Sequence, residues 1–318
     1  MGFVFLPTVA VELETENVMS NEQKQINGSS SRAALTVLGA GKMGGSLLAA
    51  IARGEARFTD LRATVKHAHR AAAMSQQLGL NVTTDNAAAV RDASVVLLCV
   101  KPSYVQEVLQ EVRSGLREDV LIILTASAVS THAIESALGR HLAVVRAMPN
   151  TPCRIGKGMT TLCPGRFATA GHLAEAAALF SHMGRTAEVD EAMMDAVTGL
   201  SASGPAFIYT IIEALSEGGV RMGLPRELAT TLAAQATLGA AAMVLETGLH
   251  PAVLKSEVTT PGGCTVEGLL ELETGSIRAT LVRAIDTTTR KASTLARPAV
   301  SADVDSWSKL EPSHAKTE

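Results

Sequence analysis

The sequence predicts an α/β fold in which an N-terminal, doubly wound parallel sheet is followed by an all-α C-terminal domain. Two observations carry this prediction. Between residues 35 and 189, short runs rich in Val, Ile and Leu alternate with segments whose apolar residues recur at helical spacing, which is the order of successive βαβ units. After Val189, only helical patterns follow. The length of 318 residues is consistent with two domains.

Composition and charge exclude several classes of protein. Aromatic residues make up 3% of the chain and the formal net charge is −3. Because no basic stripe with interleaved aromatics is present, no nucleic-acid partner is expected. No apolar run is expected to reach the length of a membrane span. The cysteines form neither a CxxC pair nor a cluster with histidine, which is typical of reduced thiols in a cytoplasmic protein without a bound metal; they are Cys99, Cys153, Cys163 and Cys264.

Both ends of the chain are expected to be flexible tails. Residues 1–32 end in a polar, linker-like Gly-Ser-Ser-Ser stretch, and they lack the basic start and the small-residue cleavage site of a signal peptide. Residues 298–318 are also polar. The sheet domain is therefore expected at 33–190 and the helical domain at 191–297.

Apolar runs and their spacing place each element of the sheet domain. The runs at 94–100, 120–124 and 142–145 are almost continuously apolar, as expected for parallel strands that are buried on both faces. The remaining elements are a first strand at 35–38, a helix at about 43–52, a second strand at about 63–66, a helix that ends at Gly79, a short strand at 81–83 and a helix over 105–116.

The second half of the chain has helical patterns only. Pro225 suits a helix start, whereas Gly223 and Gly248 suit helix ends. The small residues at 238–243 allow another helix to approach closely, either within this chain or in a second copy of it. The expected helices lie at 195–200, 204–222, 226–246, 266–272 and 277–295.

The turn after the first strand has the glycine pattern of a dinucleotide-binding unit. Gly39 suits a tight turn, Gly41 lets a pyrophosphate approach the backbone, and Gly44 lets the helix pack closely on the strand. The helix that follows offers free N–H groups and a partial positive charge to phosphates. The residues expected at this Rossmann-like cofactor site are Gly39, Ala40, Gly41, Lys42, Met43 and Gly44.

The end of the second strand distinguishes the two nicotinamide dinucleotides. An acidic residue there would accept a hydrogen bond from the ribose 2′-OH, whereas a basic residue would meet a 2′-phosphate. The sequence has Lys66, His67, His69 and Arg70 and no acid. This favours NADPH, with NADH as the second candidate, although exposed loops are also commonly charged. Asn86 is placed either to reach the adenosine ribose or to cap a helix.

Further short stretches follow one another between the glycine turn and residue 295. They are Val100-Lys-Pro102, Arg146-Ala-Met-Pro-Asn-Thr-Pro152, Gly156-Lys-Gly-Met159, Gly199-Leu-Ser-Ala-Ser-Gly-Pro-Ala-Phe207, Gly218-Gly-Val-Arg-Met-Gly-Leu-Pro225 and Leu254-Lys-Ser-Glu-Val-Thr-Thr-Pro-Gly-Gly-Cys-Thr-Val-Glu-Gly-Leu-Leu-Glu-Leu-Glu273. In this order and spacing, the chain resembles the delta-1-pyrroline-5-carboxylate reductase family from about residue 35 to 295. The family usually has Thr or Ala where this chain has Cys264, and Gly where it has Ala202. It commonly has Ala-Ala-Gly or a close variant where this chain has Ala126-Ser-Ala128, and often Asn where it has Lys42.

The resemblance implies hydride transfer from NAD(P)H to the C=N carbon of 1-pyrroline-5-carboxylate, which gives L-proline in the last step of proline biosynthesis. It makes Thr265 the catalytic residue, whose hydroxyl would hydrogen-bond the ring nitrogen; without the resemblance, Thr265 reads as a helix cap. Glu191 matches a family position near the substrate, but a lone carboxylate there also suits a solvated helix start. The implied substrate-binding residues are Glu191, Thr260, Gly262, Gly263, Cys264 and Thr265.

The resemblance also extends the cofactor site and implies an oligomer. Asn150 is expected to be structural, because it would shape the turn below the nicotinamide. The helical part is implied to be a dimerisation domain, so a homodimer is expected, with a decamer of dimers as a larger form. The further cofactor-binding residues are Lys66, His67, Asn86, Val100, Lys101, Pro102, Ala126, Ser127 and Ala128.

Other functions remain as alternatives. The 3-hydroxy acid dehydrogenases also join a Rossmann domain to helices. Their family pattern has a lysine on the first long helix that serves as the acid/base group. This chain has Ile208 there and no Lys before Met222, which favours imine reduction, since that reaction needs no such strong acid/base group. A reductase of a related cyclic imine is a second alternative. A non-catalytic nucleotide sensor would keep the glycine turn but would have no reason to keep 260–265.

Overall fold

The computed structural model describes residues 33–54 and 58–295. Within these residues, a sheet carries helices on both faces and is followed by a helical region. The expected tails at 1–32 and 298–318 lie outside the described residues, as do residues 296–297 of the expected helical domain.

One sheet contains all the strands of the described residues. They are β1 (Ala33–Leu38), β2 (Phe58–Thr64), β3 (Asn81–Thr83), β4 (Val95–Leu98), β5 (Leu121–Leu124), β6 (Ala143–Pro149), β7 (Gly158–Pro164) and β8 (Gly184–Glu188). Their order across the sheet is β3-β2-β1-β4-β5-β6-β7-β8. All neighbouring pairs among β1–β6 run parallel, which confirms the predicted doubly wound sheet. Its switch point lies between β1 and β4, and ligands of such sheets bind there, at the carboxyl ends of the strands.

Burial on both faces explains why the central strands could be recognised. Every residue of β4, β5 and β6 is buried, and their side chains alternate between two apolar cores. Leu97 and Val145 pack on one face with Leu48, which lies on the helix after β1. Val96 and Val144 pack on the other face.

Helices cover both faces of the sheet, and capping residues mark the ends of two of them. The second of them ends at Gly79, which has a φ of 66° and donates its N–H to Ser75 O. The fifth begins after Ser130, whose side chain accepts from Ala133 N–H. The α-helices of this part are α1 (Lys42–Gly54), α2 (Ala68–Leu78), α3 (Asn86–Ala89), α4 (Val105–Val112), α5 (Thr131–Leu138) and α6 (Ala170–Ser181).

The structure corrects the sheet prediction at both of its sides. β2 lies earlier in the chain than the expected 63–66, so Lys66 follows the strand rather than ending it. Strands β7 and β8 were not predicted. β7 runs antiparallel to β6, and β8 runs parallel to β7, so this edge of the sheet is mixed. β8 is only partly buried and therefore has no apolar run to reveal it.

The described residues after Val189 form helical structure only, as predicted. A 3₁₀ turn at Glu191–Met193 leads into α7 (Met194–Val197) and a π-helical segment at Thr198–Ala202, where the sequence predicted one helix at 195–200. The remaining helices are α8 (Gly204–Arg221), α9 (Arg226–Thr247), α10 (Pro251–Glu257), which was not predicted, α11 (Cys264–Thr274), which begins two residues earlier than expected, and α12 (Ile277–Leu295).

Helix α9 exposes a long apolar surface in the single chain. Leu232, Leu238 and Leu245 are 51%, 56% and 56% exposed. A Cβ added to Gly239 would meet no atom within 4 Å. Within the described residues, Gly239 of the small-residue stretch at 238–243 is therefore not a point of close approach between two helices.

By length and composition alone, α9 could cross a membrane. Its most apolar stretch has a mean hydropathy of 1.5, so the expectation that no apolar run reaches this length is wrong. Only 6% of that stretch is buried within the single chain. The exposed apolar side chains of α9 therefore need a partner, which could be a lipid or another protein surface.

Candidate active site

The glycine turn after β1 has the geometry that a dinucleotide site requires. Gly39 has a φ of 82°, and a Cβ there would lie 2.7 Å from Val100 Cγ1. A Cβ on Gly44 would lie 2.9 Å from Cys99 Cβ, so this glycine lets α1 pack closely. In contrast, a Cβ on Gly41 would meet only Gly39 O, 3.9 Å away. The packing of the protein does not require a glycine at 41, but a pyrophosphate at the start of α1 would.

A cleft of about 470 Å³ opens in front of this turn and is named the first cleft below. Two hydrogen bonds to the end of β2 hold the glycine turn in place. Ala40 N–H donates to Thr64 O over 2.7 Å, and Gly39 N–H donates to Thr64 Oγ1 over 3.2 Å. Helix α4 contributes further lining residues. Of the residues predicted to bind the cofactor, the first cleft unites Gly39, Ala40, Gly41, Lys66, Asn86, Val100 and Lys101.

The first cleft carries charges of both signs. Lys66 Nζ lies 4.9 Å from the centre of the Tyr104 ring, and Arg70 lines the same cleft. Helix α4 adds Glu107 and Glu111 to the lining. The predicted basic cluster is therefore present, but it shares the cleft with two carboxylates.

Asn86 occupies a defined place between these groups. Its side-chain Nδ2 donates to Glu111 Oε2 over 2.7 Å. It is the first residue of α3, but Asp85 caps that helix by accepting from Ala88 N–H over 2.8 Å. Of the two roles considered for Asn86, the cap is therefore filled by its neighbour.

A second cleft, of about 560 Å³, lies beside the ends of β4 and β5. Its lining includes the predicted cofactor residues Pro102 and Ala128 and the predicted substrate residue Glu191. It also includes Arg146, which the sequence analysis did not select for the site. The second cleft therefore lies at the edge of the sheet where ligands of this fold are bound.

Glu191 ties the helical region to the sheet domain. Its Oε2 accepts from the backbone N–H of Thr131 over 3.1 Å and from Thr131 Oγ1 over 2.8 Å, and its Oε1 accepts from Arg146. The Arg146 side chain is 5% exposed and that of Glu191 is 35% exposed. Burial opposes ionisation of Glu191, but the Thr131 donors and the Arg146 guanidinium outweigh it and hold the pKa of Glu191 below its ordinary value. Glu191 is therefore an ionised, partnered carboxylate and not a solvated helix-start residue.

Two thiols near the site stay protonated. Burial, followed by the charge of Glu191, raises the pKa of Cys163 to about 12. Burial also raises the pKa of Cys99 to about 12. Neither thiol is a nucleophile at neutral pH, since only the thiolate is reactive.

Ala128 has an unusual backbone conformation for a residue with a side chain. Its φ is 62°, in the left-handed region that glycine enters freely and that costs other residues roughly 1–2 kcal/mol. The family resemblance predicted glycine at this position, and the geometry gives the physical reason. Ala128 therefore holds strain at the edge of the second cleft.

Replacing Ala128 with glycine is expected to stabilise the chain. Glycine relieves the left-handed strain, but it also gives the unfolded chain more conformational freedom. The free energy of unfolding should therefore rise by up to about 1 kcal/mol. Thermal unfolding should show a melting temperature higher by about 2–3 °C. Ala133→Gly is the matched control, since Ala133 is an exposed residue of α5 beside the same cleft, and this change should lower stability. An equal drop for both variants would contradict the interpretation of Ala128.

The glycine-rich loop before α11 lines neither cleft. Gly262 has a φ of 69°, and Gly263 is the N-cap of the helix. Gly263 N–H donates to Thr260 O over 2.9 Å. Thr265 is exposed in the first turn of α11, so it does not cap the helix, and its hydroxyl makes no hydrogen bond within the described residues. The loop presents backbone N–H groups and the free hydroxyls of Thr260 and Thr265 to a surface that none of the described residues covers.

The structure does not bring all the predicted site residues together. Residues 260–265 line neither cleft. Asn150 bridges two segments instead, because its Nδ2 donates to Ser201 O over 3.2 Å and its Oδ1 accepts from Met159 N–H over 3.0 Å; this is the predicted structural role. The other predicted cofactor residues that line neither cleft are Lys42, Met43, Gly44, His67, Ala126 and Ser127.

Several residues of the clefts were missed from the sequence. Arg146 had a usable signal, because a charge within the apolar run of β6 must find a partner when buried. Glu107 and Glu111 are spaced one helical turn apart on the polar side of α4, after the Val100-Lys-Pro102 stretch. This spacing alone reads as a solvated helix face. No motif or spacing in the sequence singles out Tyr104 or Thr131 as a cleft residue.

A sheet with a glycine turn, an open cleft at the strand ends and a following helical domain defines the NAD(P)-dependent oxidoreductases of the Rossmann type. Comparison with known proteins agrees. The family described as NADP oxidoreductase coenzyme F420-dependent matches residues 34–127, and the family described as Pyrroline-5-carboxylate reductase dimerisation matches residues 191–295.

Individual relatives narrow the class to one family. The chain is 41% identical to the pyrroline-5-carboxylate reductase of Methanosarcina acetivorans over 249 residues, which are 78% of this chain and 92% of that protein. The solved structure of the Coxiella burnetii enzyme gives a TM-score of 0.78 at 31% identity and covers 84% of this chain and 100% of that one. The Plasmodium falciparum pyrroline carboxylate reductase, solved with NADP bound, gives 0.75 at 27% identity, with 85% and 100% covered. The chain belongs to the pyrroline-5-carboxylate reductases, which are NAD(P)-dependent oxidoreductases, and it carries their dimerisation domain.

Proposed function

We propose that this chain transfers a hydride from NAD(P)H to the C=N carbon of 1-pyrroline-5-carboxylate and so forms L-proline. The observation that carries the proposal is the exposed loop at 260–265, which combines a helix N-terminus, two glycines and a free threonine hydroxyl. A nucleotide sensor would have no use for this loop. A hydroxy acid dehydrogenase would need a lysine on α8, where Ile208 stands.

The first cleft has the features that the cofactor needs. Gly41 leaves room for the pyrophosphate, and the start of α1 offers it free N–H groups. Lys66, Arg70 and Asn86 would hold the adenosine end. The backbone of the Val100-Lys-Pro102 segment joins the first cleft to the second, so the nicotinamide would lie beside Pro102 and Ala128. When bound there, NAD(P)H supplies the hydride, and the protein orients it and excludes water.

The substrate is a small ring with one carboxylate, and the loop before α11 suits it. The N–H groups at the start of α11, with that of Gly262, would bind the carboxylate. The Thr265 hydroxyl would hydrogen-bond the ring nitrogen and orient the C=N bond. A threonine hydroxyl is too weak an acid to protonate the imine, so the proton would arrive with the substrate as an iminium ion or through water.

Glu191 would act on the substrate site through its own partners. Both of its oxygens already accept hydrogen bonds within the chain, from Thr131 and Arg146. The carboxylate would therefore hold α5 and the start of the helical region in place beside the second cleft. Its position near the substrate, implied by the family resemblance, fits this supporting role.

A complete site would need two copies of the chain. Residues 260–265 line neither cleft, and α9 exposes apolar side chains that a second copy would cover. We therefore propose a homodimer whose sites pair the sheet edge of one subunit with helices of the other, with a decamer of dimers as a larger form. Covering α9 in this way would also remove its need for a lipid partner, in keeping with a cytoplasmic protein that does not enter membranes.

The test is a direct assay of the purified full chain with 1-pyrroline-5-carboxylate, in which the loss of nicotinamide absorbance is followed. We expect turnover with both cofactors and a higher kcat/KM with NADPH, because Lys66 and Arg70 favour a 2′-phosphate. Protein that binds the cofactor but turns over neither this substrate nor a larger cyclic imine would overturn the proposal. Turnover of a 3-hydroxy acid instead would favour the dehydrogenase alternative.

A further inference from the structure

We propose that Glu111, acting through Asn86, keeps the first cleft open to a ribose without a 2′-phosphate, so that NADH competes with NADPH. Glu111 is thus a positioning residue for cofactor choice, set against the basic cluster that favours NADPH. The inference rests on the proposed function only in taking the first cleft as the site of the nicotinamide dinucleotide.

The geometry fixes which end of the Asn86 amide faces Glu111. An ionised carboxylate can only accept hydrogen bonds, so the Asn86 atom 2.7 Å from Glu111 Oε2 must be the Nδ2 donor. The carbonyl Oδ1 therefore points away from Glu111, and it accepts no hydrogen bond within the described residues, so it is free for a ligand. Both residues line the first cleft, so a ligand there meets an acceptor oxygen with a negative charge behind it.

This arrangement suits one form of the ribose better than the other. A 2′-hydroxyl can donate a hydrogen bond to the Asn86 Oδ1. A 2′-phosphate at neutral pH carries up to two negative charges and has mainly acceptor oxygens, so it would face the lone pairs of Asn86 and the charge of Glu111. The Asn86–Glu111 pair therefore opposes the phosphate that Lys66 and Arg70 attract.

The first cleft thus contains basic residues that favour a 2′-phosphate and acidic residues that oppose it. Lys66 has a partner in the Tyr104 ring, while Arg70 is exposed at the cleft. Glu107 adds a second negative charge to the lining but makes no hydrogen bond to Asn86 within the described residues. Of these two carboxylates, Glu111 alone combines a charge with control of the Asn86 amide.

The test compares Glu111→Gln with Glu107→Gln in the full chain. Each change removes one negative charge from the same helix and the same cleft. A glutamine at 111 can also accept a hydrogen bond from Asn86 or donate one to it, so the amide becomes free to turn its NH₂ towards a phosphate. Calorimetry would measure the binding of adenosine 2′,5′-bisphosphate and of AMP, which differ only in the 2′-phosphate. The kcat/KM ratio of NADPH to NADH provides a second readout.

We expect Glu111→Gln to raise the preference for the 2′-phosphorylated fragment by about fivefold or more, and Glu107→Gln to raise it by less than about twofold. Adding Asn86→Ala to Glu111→Gln should cancel most of that gain. Equal shifts in the two glutamine variants would show that charge alone acts and would overturn the role of Asn86. No shift in either would overturn the inference while leaving the proposed function intact. If the wild-type chain bound neither fragment, the assignment of the first cleft itself would fail.

Discussion

Replacing Thr265 with valine is expected to lower kcat/KM for 1-pyrroline-5-carboxylate by about 100-fold or more and to leave cofactor binding unchanged. Valine keeps the branched shape and removes only the hydroxyl. Removing one preorganised hydrogen-bond donor at the reacting atoms typically costs about 10²–10³ in rate. Thr265 is exposed and its hydroxyl has no partner within the described residues, so the variant should fold normally. Steady-state kinetics and a titration with NADPH would separate the two effects.

Thr265→Ser is the matched control, because it keeps the hydroxyl and loses only a methyl group. It should retain most of the turnover. If valine and serine lowered the rate equally, the methyl group and not the hydroxyl would matter. If valine left the rate unchanged, Thr265 would be an ordinary residue of the first helical turn, and the proposed orientation of the imine would be wrong.

A mixing experiment extends this prediction to the assembly. Gly41→Val should abolish cofactor binding without unfolding the chain, because its side chain would enter the open cleft and not the protein core. When Thr265→Val and Gly41→Val subunits are dissociated and reassociated together, half of the dimers should be hybrids. One of the two sites in each hybrid would then carry neither change, which restores about a quarter of the wild-type activity. If the mixture stayed as inactive as its components, the site would not be shared between subunits.

The features that could be predicted from the sequence are local in the chain. The glycine turn places its three glycines within six residues, so their roles could be deduced from spacing. Those of Gly39 and Gly44 agree with the close contacts in the structure, whereas the role of Gly41 towards a pyrophosphate stays a prediction. The central strands β4 and β5 are buried on both faces and read as apolar runs. β8 escaped prediction because a half-exposed edge strand has neither an apolar run nor a clear alternation.

The features that could not be predicted depend on contacts between distant parts of the chain. Glu191 is separated by 60 residues from Thr131 and by 45 from Arg146, and no periodic pattern connects such positions. The same holds for Asn86 and Glu111, which are 25 residues apart. The strain at Ala128 also arises from the path of the backbone. A resemblance to a family that prefers glycine hinted at it, whereas composition and spacing did not.

Replacing Glu191 with alanine is expected to lower the free energy of unfolding by about 3 kcal/mol. The change leaves the guanidinium of Arg146 buried at 5% exposure without its counter-charge, and breaking a buried ion pair from one side typically costs about 3–5 kcal/mol. We expect the lower end of that range, because the Glu191 side chain keeps 35% exposure to water. Urea unfolding at neutral pH would measure the loss.

A surface ion pair of the same domain provides the control. Arg117 Nη2 lies 2.7 Å from Asp119 Oδ2, but the two side chains are 37% and 69% exposed. Asp119→Ala should therefore cost well under about 1 kcal/mol. A second comparison is Arg146→Met combined with Glu191→Leu, which removes both charges and should recover much of the stability that Glu191→Ala loses. If the double variant were less stable than Glu191→Ala, the unpaired Arg146 charge would not be the cause of the loss.

The pH dependence of the free energy of unfolding is a second test of the Glu191 contacts. The pKa of Glu191 is lower in the folded chain than its ordinary value of 4.5, so the unfolded chain takes up a proton at this group first as the pH falls. The stabilisation by ionised Glu191 is thus fully present above that ordinary value and is lost as the pH falls through the folded pKa. The difference in stability between the wild type and Glu191→Ala should stay constant from pH 7 to about 6 and narrow below about 4. A difference that widened on acidification would mean that the folded chain favours the protonated carboxyl, and the Arg146 and Thr131 contacts would then not hold Glu191 in its ionised form.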